Sequence, residues 1–177
     1  AHHPRWVLSC GFAGAMDEAL KVGDIVVADK LLCPSQPPIQ LDFRMPSDPA
    51  GGWRVGGLLT MPHIVRTVAE KRTLAAEHGA LAVDMETYAV AAFCREQHQK
   101  FFAVRVCSDD LSADLPPEVL SLLGATGSMR WGAVVGALWK RPGSAQDMLK
   151  LREQATVAAE KLAVFLDGIV KQLHAAK

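Results

Sequence analysis

Three short segments carry side chains able to do chemistry, and each lies where an apolar run ends. Arg105-Val106-Cys107-Ser108-Asp109-Asp110 sets a guanidinium, a hydroxyl and two carboxyls close together. A partly buried carboxyl beside a second acid can hold its proton toward neutral pH and act as a general acid. The same residues have a plainer reading, in which Asp109 or Asp110 caps a turn and Arg105 pairs with a carboxylate. Spacing alone favours that one. Asp84-Met85-Glu86 offers two more carboxylates. Glu86 in a first helical turn gains from the helix dipole, and it could also accept two hydroxyl hydrogen bonds from a vicinal diol such as a ribose. Gly11-Phe12-Ala13-Gly14 would let backbone approach a ligand. It is neither a dinucleotide nor a Walker fingerprint, and taken singly reads as a tight turn.

The elements that must position these segments follow from periodicity. Trp6 to Cys10, Ile25 to Ala28, Val55 to Thr60, Ala80 to Val83 and Phe101 to Cys107 are apolar or β-branched runs and read as strands. Ala15 to Lys21 has room for two helical turns. Pro62 is placed as the first residue of a helix with Ile64, Val65, Val68 and Ala69 on one face, stopped by Gly79. Asp84-Met85-Glu86 opens another, whose inward stripe is Met85, Ala89, Ala92 and Phe93. Cys33 to Gly52, rich in Pro and Gly, reads as a loop excursion within one domain spanning 1–177. A loop over 108–117, a helix over 127–139 and a long helix from Ser144 complete the chain. Met148, Leu151, Ala155, Ala158, Leu162, Phe165 and Ile169 form the last helix's apolar face, and Ser144 with Asp147 resembles a capping box. Strands alternating with helices imply an α/β sheet covered on both faces, with ligands beyond the strands' carboxyl ends.

Composition narrows the partners. Half of the 177 residues are hydrophobic, and 19 basic side chains balance 19 acidic ones. Nothing tracks a nucleic-acid backbone by bulk charge, so a small or neutral ligand is expected. The four cysteines show no C-x-x-C and no metal-type clustering, so no metal site is expected. Cys10, Cys94 and Cys107 read as reduced core residues, which suits a cytoplasmic setting. No segment is long and apolar enough to span a bilayer; Trp131 to Trp139, flanked by basic residues, reads as a buried helix.

Taken in order, Cys10-Gly-Phe-Ala-Gly-Ala15, Leu20-Lys-Val-Gly-Asp-Ile-Val-Val27, Ala82-Val-Asp-Met-Glu-Thr87 and Val104-Arg-Val-Cys-Ser-Asp109 resemble the nucleoside phosphorylase superfamily. The likeness is to the branch that includes methylthioadenosine/S-adenosylhomocysteine nucleosidase. Trp139-Lys-Arg-Pro-Gly-Ser144 also resembles the hopanoid-associated phosphorylases, which take adenine from an adenosyl lipid. The resemblance implies a three-layer α/β/α sandwich around a mixed, partly barrel-like sheet. It implies cleavage of a purine nucleoside or adenosyl compound at its N-glycosidic bond, by hydrolysis or phosphorolysis. Asp109 would protonate the base, Ser108 would position that carboxyl and Arg105 would face the nucleophile. Glu86 would bind the ribose hydroxyls, Met85 would pack on the sugar, and Ala13 and Gly14 would line base and sugar. Met61 to Ile64 would help form the base pocket. No cofactor is implied beyond inorganic phosphate as co-substrate in a phosphorylase, and the expected assembly is a dimer. Relatives begin with a further strand-helix segment carrying a nucleophile contact, which this chain is expected to lack. Phe12 stands where they carry Ser or Thr. Those departures leave a second reading, a catalytically impaired nucleoside-binding or structural paralogue.

Overall fold

Residues alternating between two faces form strands, and here the alternation is broken by bulges between Ala13 and Gly14, Ala28 and Lys30, and Gly57 and Leu58. The computed structural model describes residues 4–115 and 144–175. The strands are β1 (Val7–Ala15), β2 (Ile25–Leu32), β3 (Ile39–Gln40), β4 (Trp53–Thr60), β5 (Ala80–Asp84) and β6 (Phe101–Asp109). The helices are α1 (Val68–His78), α2 (Thr87–Glu96) and α3 (Ser144–Ala175). The mixed sheet runs β3-β2-β4-β5-β1-β6, and β2 also pairs with β6. That extra ladder joins Ile25 to Val106 and Val27 to Val104, closing β2, β4, β5, β1 and β6 into a barrel.

All five barrel strands send residues to one cluster, including Ala13, Val26, Leu58, Ala82 and Ala103, which α2 covers through Tyr88, Ala91 and Cys94. The opposite faces of β2 and β6 present Ile25, Val27, Phe102, Val104 and Val106 to Ala158, Leu162 and Ile169 of α3. Leu59, Ala80 and Val83 form a third cluster with Met61 and Val65, against which Leu74 and Ala75 of α1 pack. The expected mixed, barrel-like α/β architecture is present. Among the described residues no helix is long and apolar enough to cross a membrane, and no His, Cys, Asp and Glu group is arranged to hold a metal. The apolar run 131–139 and the helix expected over 127–139 lie outside the described residues.

Several expectations need correction. The Gly11–Gly14 segment is extended strand, and neither glycine has positive φ. Of the two, lateral room is tight only at Gly14, where a Cβ would meet Asp109 Oδ2 at 3.2 Å; one on Gly11 would make ordinary contact with Arg105 Nη1 at 3.5 Å. Ala15 ends β1, and residues 16–21 hold a turn at Glu18 and Ala19 rather than a helix. α1 begins at Val68, not Pro62, because Thr67 is the N-cap and accepts a hydrogen bond from Glu70 N at 3.2 Å. Gly79 ends that helix in the left-handed region (φ 64°), as its type requires. α2 starts at Thr87, and its buried stripe is Thr87, Tyr88, Ala91 and Cys94, whereas Met85 and Phe93 are exposed. Cys10 is exposed rather than a core residue.

Candidate active site

The carboxyl ends of β1, β5 and β6 meet at a cavity of about 210 Å³. Phe12, Ala13 and Gly14 line it from β1; Val83 to Glu86 come from the β5–α2 junction; Ser108 and Asp109 come from β6. His63, Ile64, Val65 and Leu115 complete the wall, so the 61–64 segment contributes at its later residues. Seven of the eight residues expected at the site therefore share one cavity: Phe12, Ala13, Gly14, Met85, Glu86, Ser108 and Asp109.

A strand turns successive side chains to opposite faces, yet Ser108 and Asp109 both reach this cavity. A bulge explains it. Ala13 pairs with Cys107 and Gly14 with Asp109, so Ser108 is the extra residue and alternation breaks there. Ser108 Oγ lies 2.8 Å from Asp109 Oδ1 and 3.3 Å from Ala13 O, orienting the carboxyl from one side. On the other side the Lys71 ammonium donates to Asp109 Oδ2, and lies 3.4 Å from Asp110 O.

Asp110 does not line the cavity. Burial pulls its carboxyl upward, but hydrogen bonds to Ser112 and the Lys21 and Lys71 ammoniums outweigh this and hold it below its ordinary value. It therefore stays ionised at neutral pH, which leaves Asp109 as the acidic side chain of this pair that faces a ligand. Burial, with Asp24 and Asp109 nearby, pushes the Cys107 thiol up to about 12, so Cys107 is no nucleophile.

Arg105 is the eighth expected residue, and it lies away from the cavity wall. It is buried, with Nε donating to Asp84 Oδ2 at 2.9 Å. Nη2 donates to Ser9 Oγ at 2.9 Å and Thr87 Oγ1 at 2.5 Å. Asp84 also receives the Thr60 hydroxyl at 2.7 Å, the Thr87 hydroxyl and, more weakly, Thr87 N at 3.4 Å. Four donors satisfy the carboxylate's acceptor sites. The plainer reading of Arg105, pairing with a carboxylate, describes this geometry. Asp84 rather than Glu86 serves the start of α2, since Glu86 makes no side-chain capping bond. Glu86 lines the cavity.

Lys71 is the residue that sequence reasoning missed. It is fully buried, on the helical face shared by Val68, Leu74 and Ala75. A charged residue at a position where the helical period calls for an apolar one was the available signal.

Chemically, the cavity lining combines the carboxylates of Asp109 and Glu86 with the apolar side chains of Phe12, Ile64, Val65, Met85 and Leu115. Carboxylates suit a site where positive charge grows on a sugar, and an acid suits a departing base.

A family model described as the phosphorylase superfamily matches residues 53–136. The 5'-methylthioadenosine/S-adenosylhomocysteine nucleosidase of Staphylococcus haemolyticus is 25% identical, over 60% of this chain and 58% of its own length. This chain thus spans under three-fifths of that curated relative. Among solved structures, the Helicobacter pylori 5'-methylthioadenosine/S-adenosyl homocysteine nucleosidase has TM-score 0.63 at 20% identity, covering 95% of this chain and 68% of that one. A futalosine hydrolase mutant from Helicobacter pylori has TM-score 0.52 at 21% identity, covering 62% and 59%. At those identities the two structures speak to the fold.

Proposed function

We propose that this chain, matched over residues 53–136 by a model of the phosphorylase superfamily, is a member of that superfamily and cleaves the N-glycosidic bond of a purine nucleoside or adenosyl compound. The observation that carries this is the convergence of Asp109, Ser108, Glu86 and Met85 on one cavity. Asp109, oriented by Ser108, protonates the leaving base, whose electron pair comes from the broken bond to the sugar. Glu86 accepts hydrogen bonds from the ribose hydroxyls, and Met85 packs on the sugar ring. Ala13 and Gly14 let the base approach the backbone. Arg105 acts through Asp84, holding the β5–α2 junction that presents Glu86.

Hydrolysis is favoured over phosphorolysis, because no Lys or Arg lines the cavity among the described residues. The test is release of free base from methylthioadenosine, adenosylhomocysteine, adenosine and inosine, with and without phosphate. Release that does not depend on phosphate is expected; failure of all four substrates under both conditions overturns the reading. Adenine binding without turnover would instead favour a nucleoside-binding paralogue, consistent with the exposed Phe12 at the mouth.

Glu86→Gln is expected to lower kcat/KM roughly 10- to 150-fold, the worth of about 1.5–3 kcal/mol for hydrogen bonds to a charged acceptor. The loss should be smaller with 2′-deoxy substrates, which lack one donor. Equal loss on both sugars would remove Glu86 from ribose binding.

A further inference from the structure

We infer that Lys71 is the positioning residue of the leaving-group site: its buried ammonium anchors Asp109 against the departing base. This rests on the reading of Asp109 as the acid, and it adds the group that makes Asp109 effective.

Lys71 side-chain exposure is 0%, against 13% for its partner Asp109. A lysine almost never sits fully buried unless something holds its charge. Its contacts are the Asp109 carboxylate and, at 3.4 Å, the carbonyl of Asp110. The cavity-facing wall is Asp109, and Lys71 stands behind it, outside the lining. Gly14 is what permits this packing: a Cβ there would meet Asp109 Oδ2 at 3.2 Å and Lys71 Cε at 3.4 Å. The helix that carries Lys71 is fixed by the Thr67 cap and by Val68 N donating to Asp114 Oδ1 at 2.8 Å. Arg66 Nη1 donates to Leu115 O at 2.6 Å, tying the helix approach to the segment that follows Asp109. These bonds tie the helix that carries Lys71 to the segment that follows Asp109, and so hold cation and carboxylate together.

The chemistry follows from charge. In the free site Asp109 is the carboxylate paired with Lys71; it takes up a proton from solvent with the purine bound. As the glycosidic bond breaks, the electron pair passes to the base, which takes that proton, while water adds to the sugar carbon and loses a proton to solvent. The carboxyl then becomes a carboxylate, and the adjacent ammonium stabilises the charge left on it. A preorganised cation at a site of developing charge lowers the barrier without reorganisation. A leaving group that needs no proton gains nothing from this arrangement.

Lys71→Met is therefore expected to lower kcat for a purine nucleoside roughly a hundredfold while changing KM less than about threefold. Cleavage of 4-nitrophenyl riboside, whose phenolate leaves unprotonated, should fall less than about fivefold. A merely structural lysine would lower both substrates together, and that result overturns the proposal. So does an unchanged purine rate in Lys71→Met. If wild type cleaves no purine nucleoside, the proposed function fails first and this inference with it. If wild type and Asp109→Asn cleave purines equally, the acid assignment fails and this inference with it, while the proposed function stands. Should Lys71→Met not fold, or the riboside not be a substrate, wild-type protein labelled with ¹⁵N-lysine decides. Burial should give Lys71 a slowly exchanging ammonium signal that moves when adenine is added. A slow signal indifferent to saturating adenine overturns the proposal.

Discussion

Asp109→Asn is expected to lower kcat for purine release by about 10²- to 10⁴-fold, the usual contribution of a positioned acid. The amide keeps the shape and can still accept a hydrogen bond from Ser108, but it has no carboxyl proton to give. Steady-state kinetics at a matched folded fraction measure the effect, because the same change strands a fully buried ammonium. That second effect should cost roughly 1–3 kcal/mol in urea unfolding, the penalty for leaving a buried polar group unsatisfied. Lys71→Met/Asp109→Asn removes both charges, so it should recover stability without recovering rate. A single variant that turns over purines at the wild-type kcat would show that the proton comes from elsewhere.

The largest expected stability effect lies one layer beneath the cavity. Arg105→Met should destabilise the fold by about 3–5 kcal/mol, because it leaves Asp84 buried without its cation, with three remaining donors. Arg105 and Asp84 come from β6 and β5, and the same guanidinium reaches Ser9 on β1 and Thr87 on α2. One side chain therefore ties three strands and a helix at the level just below the ligand. Urea denaturation would register the loss as a lowered midpoint with unchanged slope. A shift worth less than about 1 kcal/mol would mean that the network is not what holds these elements together.

The sequence made the strand ends legible, because apolar runs broken by acids mark where strands leave a sheet. Placing Glu86, Met85, Ser108 and Asp109 in a ligand site took the family resemblance, since spacing alone favoured the plainer reading. It did not disclose which strands become neighbours. Nothing local to Val104 or Ile25 indicates that β6 pairs with β2, since alternation reports a face and not a partner. The helix starts were misplaced for local reasons. Pro62 offered one signal and Thr67 another, and a side-chain oxygen that satisfies an orphan N–H decides the start. In α2, a stripe displaced by one residue turns the helix by about 100°, enough to bury Tyr88 and Ala91 where Ala89 and Ala92 were expected. Arg105 shows the converse case. The resemblance implied a nucleophile contact, whereas its type and place favoured a carboxylate partner, and Asp84 is that partner. Lys71 stayed hidden because only tertiary packing brings a helix of residues 68–78 against a strand end at residue 109.

The barrel's closure also sets an order of events. Ser9 and Arg105 are 96 residues apart, and β1 finds its parallel partner only when β6 exists. A nascent chain that stops before β6 contains the ribose-facing Glu86 but neither Asp109 nor the ladder that joins β6 to β1 and β2. Such non-local pairing is the slow, high-contact-order part of folding. The cavity is consequently a late product of assembly, and a molecule able to bind there has already formed its longest-range contacts. Any ligand specific to the cavity must therefore draw the population toward the fully closed barrel, by mass action on the native state alone.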